Sequence, residues 1–202
     1  MIVPTELLSQ RSGRPMRHAS ADIVLAEHWN PAPQPTPFAS TTATAAPGYY
    51  QDGRLFHGPH FQALQNIEAV GAHGILAQSQ TAPTPADWIQ NPWRGSWITD
   101  PLALDAAFQA MILWSWQNRG AACLPCGIKN LRLFTASFPS EGVAIAAHVA
   151  HNDESNPLVT ARFEFINRQG VVLAVADGAE QVVDPSLATA FQRHLLRHEE
   201  QA

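Results

Sequence analysis

Two short stretches hold residues whose types and spacing could do chemistry. In "ITDPLALDAAFQAMILWSW", residues 98–116, Asp105 and Gln109 stand four apart and so share one face of a helix. The residues around them are apolar on every side. A carboxyl group in such surroundings is costly as an anion, and burial favours the protonated acid, which is the state a general acid needs. The neighbouring amide could orient that carboxyl or hold a substrate oxygen. The competing reading is structural: Asp105 lies near the helix start, where the helix dipole and backbone donors favour a carboxylate. The second stretch is "GRLFHGPHFQAL", residues 53–64. Gly58 and Pro59 predict a tight bend there. His57 and His60 flank the bend, and either could face a cleft or sit on an exposed turn.

Other candidate groups have weaker patterns. "CLPC", residues 123–126, has the spacing of a redox motif. It follows a helix instead of opening one, and no second cysteine pair exists to complete a zinc site. His148 and His151, on an expected strand, have no ligand partner at a metal-binding spacing. The tryptophans at 88, 93, 97, 114 and 116 are expected in the core and in pocket walls. There is no glycine-rich phosphate loop, no G-x-S-x-G elbow and no internal repeat. No metal site is expected.

The elements that must position these residues follow from periodicity and punctuation. Residues 17–29 read as one strand, with Ile23 and Leu25 on one face, and no strand partner is evident nearby. Residues 30–48 are rich in Pro, Ala and Thr and are expected to be a linker without regular structure. Residues 64–80 predict a hairpin turning at "GAHG", and 81–100 a Pro- and Trp-rich loop. Asp100-Pro101 is a helix start, and Gly120 a stop after a helix running to about Asn118. Strands are expected at 127–135, 142–151, 157–167 and 171–183, the last two joined across "NRQG". The tail repeats the Asp-Pro helix start, with Leu187, Phe191, Leu195 and Leu196 as its apolar stripe. A helix apolar all round must be enclosed. An α+β arrangement follows, one antiparallel sheet wrapped around one long central helix, which is the hot-dog fold.

Composition bounds the function classes. Of 202 residues, 46% are hydrophobic and 14% charged, enough apolar side chain for a real core. The net charge is −5 with 12 Lys plus Arg and no basic stripe, which argues against nucleic-acid binding. The N-terminal residues lack the pattern of a secretory signal. The longest apolar run is broken by Asp105 and Gln109, so no membrane span is expected. Two cysteines imply no disulfide framework, and a cytoplasmic location is the default.

At both motifs the sequence resembles the dehydratase domains of polyketide synthases and polyunsaturated fatty acid synthases, nearest to those of iterative enediyne and polyunsaturated-fatty-acid systems. "GRLFHGPHFQAL" matches the glycine-proline-phenylalanine motif of that family. "GSWITDPLALDAAFQAMILW" matches its helix motif, an aspartate followed four residues later by glutamine or histidine. "LPCGIKNLRLF" and "AEQVVDPSLATAFQRH" match the next strand and the closing segment. The likeness covers about residues 49–195.

The resemblance implies a double hot dog, with residues 49–202 as its C-terminal half and residues 1–29 as a remnant or last strand of a preceding one. It implies Asp105 and Gln109 as the catalytic pair, and an acyl tunnel lined by His57, Gly58, Pro59, Phe61, Phe108 and Ile112. No cofactor is implied, since the substrate rides on the phosphopantetheine arm of an acyl carrier protein. The implied partners are that carrier protein, the first hot-dog half or neighbouring synthase domains, and a second copy in a homodimer. The implied reaction removes water from a 3-hydroxyacyl chain to give a trans-2-enoyl product. Three features depart from the family. Many members have tyrosine at the position of His57, and a His-Pro pair where this chain has Asp100-Pro101. The family's H-x-x-x-G-x-x-x-x-P motif, source of the catalytic histidine, does not occur in these residues. Two alternatives therefore stand beside the dehydratase: a non-catalytic hot dog that binds an acyl chain or docks in a megasynthase, and a single hot-dog thioesterase or isomerase.

Overall fold

The computed structural model describes residues 1–11, 14–38, 48–150 and 153–191. The chain divides into two compact units, Met1–Pro31 and Ala32–Ala202.

The first unit is a hairpin of β1 (Ile2–Arg11) and β2 (Arg14–Val24), paired antiparallel from Ile2↔Val24 to Arg11↔Arg14. The strand expected at 17–29 thus runs earlier, at 14–24, and its partner is the segment just before it. That partner escapes a pattern search because Ile2 and Leu8 are apolar on one face while Thr5 interrupts the other, which blurs the alternation of β1. The cross-strand pairs Val3↔Ile23, Thr5↔Ala21 and Leu7↔Ala19 put a largely apolar set on one face. Leu7 is 63% exposed and Ile23 45%. A two-stranded ribbon by itself is marginal in water.

The second unit contains a six-stranded antiparallel sheet and one long helix. After a single 3₁₀ turn at Pro59–Phe61 come β3 (Leu64–Gly71) and β4 (Gly74–Ser79), the expected hairpin. A short helix, α1 (Pro85–Trp88), sits in the Pro- and Trp-rich loop. It is followed by α2 (Pro101–Arg119), then β5 (Cys123–Leu133), β6 (Val143–Val149), β7 (Leu158–Ile166) and β8 (Val172–Val183). The order across the sheet is β3-β4-β6-β7-β8-β5. Gly74 must be glycine, since a Cβ there would run into the Ala147 carbonyl oxygen of the neighbouring strand. Residues 187–191 are helical, with Phe191 buried and Leu187 packed against the core, while Leu195 and Leu196 lie outside the described residues.

Helix α2 packs against β3, β4, β5 and β6. Alanines 103, 106, 107 and 110 are fully buried and let the sheet approach the helix axis, while Met111 and Trp114 fill the larger gaps. Facing them are Ile145 and Ala147 of β6 and Ala161, Phe163 and Phe165 of β7, alternating as one face of a pleated sheet must. The tryptophans divide. Trp114 is fully buried and its indole N–H donates to Gly71 O at 2.9 Å. Trp93 is wholly exposed, so it belongs to neither core nor pocket wall as expected.

Both ends of α2 have their backbone groups satisfied. Asp100 is the N-cap, its carboxylate accepting from Ala103 N at 2.8 Å and Ala82 N at 2.9 Å. Gly120 closes the helix in the left-handed conformation at φ 65°. The capping role considered for Asp105 therefore belongs to Asp100. Burial raises the Asp100 pKa, and the bonds from Ala103, Ala82 and Leu102 oppose that shift.

The outer face of the sheet holds a second tie. Residues 30–38 lack regular structure as expected, and 39–47 lie outside the described residues. The segment is nevertheless pinned. Glu164 of β7, with a side chain 0% exposed, accepts from Thr36 N at 2.8 Å and Thr36 Oγ1 at 2.7 Å. Arg162 Nε donates to the same carboxylate at 3.0 Å and also pairs with Asp177. Phe38 rests on the His148 ring, with centroids 5.6 Å apart. Burial opposes ionisation of Glu164, but the Thr36 donors and Arg162 outweigh it and hold its carboxyl below the usual range.

Two predictions follow from these ties. A group with a depressed folded pKa stabilises above its unfolded pKa and loses that contribution as pH falls through the folded value. The Thr36 amide should therefore be protected from hydrogen exchange at neutral pH and lose protection only below the ordinary glutamate range. Glu164→Ala should remove that protection at every pH and cost about 1–3 kcal/mol, the range for leaving buried partners unsatisfied. Persistent Thr36 protection in that variant would show that the tie does not hold the segment. The second concerns the two aspartates of α2. Asp100→Ala should destabilise by about 1 kcal/mol, the usual cost of losing a cap. Asp105→Asn should stay within about 0.5 kcal/mol, as for a partly exposed position. Thermal unfolding of both variants measures the difference.

Candidate functional site

The side chains that could do chemistry meet at the N-terminal half of α2, where the Gly58-Pro59 loop crosses it. Asp105 lies in the second turn, with its side chain 32% exposed, so the carboxyl stands at an opening and not deep in the core. Gln109, one turn on, is 0% exposed. Its Nε2 donates to Asp105 Oδ2 at 2.6 Å and to the Phe61 carbonyl oxygen at 2.6 Å. Its Oε1 accepts from the Tyr50 hydroxyl at 2.6 Å. Both ends of the amide are thus occupied, as burial requires. Among the described residues no side-chain hydrogen bond reaches Asp105 Oδ1.

The loop supplies His57. Its Nε2 lies 3.5 Å from Asp105 Oδ2, its side chain is 10% exposed, and its ring stacks on Phe56 at 4.3 Å. The expected bend is present, but glycine geometry does not make it. Gly58 has φ −69° and ψ 171°, ordinary extended backbone, and a Cβ there would meet open space. Pro59 at the first position of the 3₁₀ turn sets the bend. His60 is exposed and reaches none of these groups.

The other candidates fall in three places. Phe61 is 41% exposed, leans on Trp88 at 5.4 Å, and contributes its carbonyl to Gln109. Phe108 is partly buried and meets Phe163 edge-on at 5.3 Å. Ile112 is 2% exposed and belongs to the core. The structure thus brings together Asp105, Gln109, His57 and the Phe61 carbonyl, and sets Ile112 among the core side chains.

Tyr50 is the residue that sequence reasoning missed. Its hydroxyl accepts from Leu64 N at 2.9 Å while donating to Gln109, and its neighbour Tyr49 donates to Leu64 O at 3.2 Å. The paired tyrosines therefore hold the backbone at the start of β3. Burial raises the Tyr50 pKa, so the phenol keeps its proton.

The cysteines form no unit. Cys123 is buried, with Sγ 3.2 Å from Gln181 Oε1, and burial pushes its thiol up to about 12. Cys126 is exposed. His148 lies on the outer face near Glu164, and His151 is outside the described residues. Among the described residues no group of three or more His, Cys, Asp or Glu is placed to hold a metal ion. No helix among them is long and apolar enough to cross a membrane.

The fold recurs in solved structures. The dehydratase domain of a mycocerosic acid synthase-like polyketide synthase superposes with a TM-score of 0.64 at 21% identity, over 90% of this chain and 64% of that one. The dehydratase domain of RzxB from Pseudomonas fluorescens superposes with a TM-score of 0.67 at 19% identity, over 88% of this chain and 62% of that one. The chain thus spans less than two thirds of these domains. In sequence it is 27% identical over 137 residues to one of the polypeptides of the polyunsaturated fatty acid synthase of Thraustochytrium sp. (strain ATCC 26185 / S-3), which is 64% of this chain and 5% of that protein. The family described as polyketide synthase dehydratase N-terminal domain matches residues 28–181. That description names an N-terminal domain, and the placement of residues 49–202 in a second hot dog rests on the order of motifs alone. With the greater part of its length inside that match, the chain belongs to the polyketide synthase dehydratase family.

Proposed function

We propose that the chain is the C-terminal hot-dog part of a 3-hydroxyacyl carrier-protein dehydratase in a polyketide or polyunsaturated fatty acid synthase. The observation that carries this reading is the Asp105–Gln109 pair, with its carboxyl at an opening and its amide locked. In the proposed reaction a histidine base from the preceding hot dog removes the α-proton. The electron pair forms the Cα=Cβ bond, the Cβ–O bond breaks, and Asp105 gives its proton to the departing hydroxyl. Water and a trans-2-enoyl thioester result. Gln109 holds the carboxyl in place, and His57, Phe61 and Phe108 stand beside the acyl chain. The substrate arrives on the phosphopantetheine arm of a cytoplasmic acyl carrier protein. The hairpin of β1 and β2, with a largely apolar set on one face, fits the last strands of that preceding hot dog.

A second reading draws on the 3.5 Å approach of His57 Nε2 to Asp105 Oδ2. A carboxylate so placed can orient an imidazole as base, which would put both groups in one chain.

Assaying water loss from a 3-hydroxyacyl carrier protein by mass spectrometry separates these readings. The chain alone should show no appreciable turnover, and adding a dehydratase's first hot dog should restore it. In the restored enzyme Asp105→Asn should lower kcat by about 10²- to 10⁴-fold, the usual contribution of one positioned acid. Gln109→Ala should cost less, because the amide transfers no proton. Full activity of restored Asp105→Asn would refute the assignment. Turnover by the chain alone, abolished by His57→Ala, would establish the second reading. A non-catalytic acyl-binding domain would bind the acylated carrier and stay inactive in every combination.

A further inference from the structure

The bonds around Gln109 run in fixed directions. The Leu64 N–H can only donate, and it donates to the Tyr50 hydroxyl. A phenol has one proton, and that of Tyr50 goes to Gln109 Oε1. Phe61 O can only accept, so the amide nitrogen must face it. The second amide proton then points at Asp105 Oδ2. Reversing the amide would set Oε1 against two oxygens at 2.6 Å, Phe61 O and Asp105 Oδ2. The amide is fully buried, so no water can take over a lost partner. Bonds in such a chain polarise one another, and the Tyr50 donor therefore strengthens the amide's hold on the carboxyl.

We propose that Tyr50 is a positioning residue of the site. Its hydroxyl, aimed by the Leu64 N–H, locks the Gln109 amide, which occupies Asp105 Oδ2 and leaves Oδ1 to carry the proton that the acid transfers. The last clause rests on the dehydratase reading, while the lock itself does not. Tyr50 touches no reacting atom and acts through Gln109 alone. It also joins the segment before the Gly58-Pro59 loop to the helix, so loop and carboxyl keep a fixed relation.

The test is the side-chain amide of Gln109, followed by NMR in the whole chain labelled with ¹⁵N-glutamine and assigned with Gln109→Asn. In the wild type its two protons should be slow to exchange with solvent and give one set of signals. Tyr50→Phe keeps the ring, which meets Tyr49 at 5.1 Å, and removes only the hydroxyl. It should speed exchange of this amide by roughly tenfold, the size expected for one lost hydrogen bond. Exposed glutamines should be unaffected. In the restored dehydratase the same variant should lower kcat and leave KM unchanged. An unaltered Gln109 amide in Tyr50→Phe would overturn the lock, whatever the activity. An altered amide without any dehydratase activity in the wild type would leave the lock standing and sink the reaction. If Tyr50→Phe does not fold, 3-fluorotyrosine at position 50 keeps shape and hydroxyl while making the donor stronger. It should then move the Gln109 amide signals and not those of exposed glutamines, and unmoved signals would overturn the proposal.

Discussion

Helix α2 is largely enclosed. Of its nineteen residues only Gln117 is exposed, and the stretch from Gln109 to Ser115 is buried without a break. Every polar group on its buried stretch must therefore find its partner in protein. That constraint determines what surrounds it. Trp114 turns its N–H to Gly71 O, and Ser115 donates to Ala121 O. Asp100 takes the free amides at the N-terminus. Gln109, with one acceptor and two donors, needs a phenol, a backbone carbonyl and a carboxylate, which come from three separate segments. The amide thus ties the loop before β3 to the helix more specifically than apolar packing could. Sheet and helix would tolerate small shifts against one another, whereas three bonds of 2.6 Å would not.

The carboxyl differs from the amide beside it. Asp105 is one turn nearer the helix start, and its side chain is 32% exposed although Ala103, Ala106 and Ala107 around it are buried. The two residues that share a face thus meet different environments. One is locked by burial and the other is open to whatever enters. A rigid amide next to an accessible carboxyl is the arrangement expected where a group must be held in one geometry and still reach a ligand.

Most of the body was legible in the sequence because its signals are local. Asp100-Pro101 and Gly120 mark helix ends by backbone chemistry, and "GAHG" and "NRQG" mark turns. The Asp105–Gln109 pair follows from helical spacing alone. The features that escaped depend on residues far apart in sequence. Thr36 and Glu164 are separated by 128 positions, so nothing near the proline-rich stretch reveals that it is pinned. Tyr50 and Gln109 are 59 apart, and the second of two adjacent tyrosines carries no local mark of a partner. The partial exposure of Asp105 is tertiary too. An apolar circumference says that a helix is covered, but not which side chain on it reaches solvent. For β1 the failure was of pattern, since Ile2, Thr5 and Leu8 blur the alternation of a strand that pairing with β2 makes plain.

The directions of the hydrogen bonds also bear on how a reaction could be shared between two halves. On the proposed reading, elimination needs an acid at the β-oxygen and a base at the α-carbon, acting on one substrate at once. Asp105 has one oxygen bound by Gln109 and approached by His57, which leaves the other as its reactive edge. His57 lies against the bound oxygen, and its ring is stacked on Phe56, which in turn meets Phe191 at 4.4 Å. An imidazole held in that stack is poorly placed to reach an α-carbon while the same carboxyl reaches the β-oxygen through its opposite edge. On the proposed reading His57 therefore stands as a wall beside the carboxyl, and the base comes from the preceding hot dog.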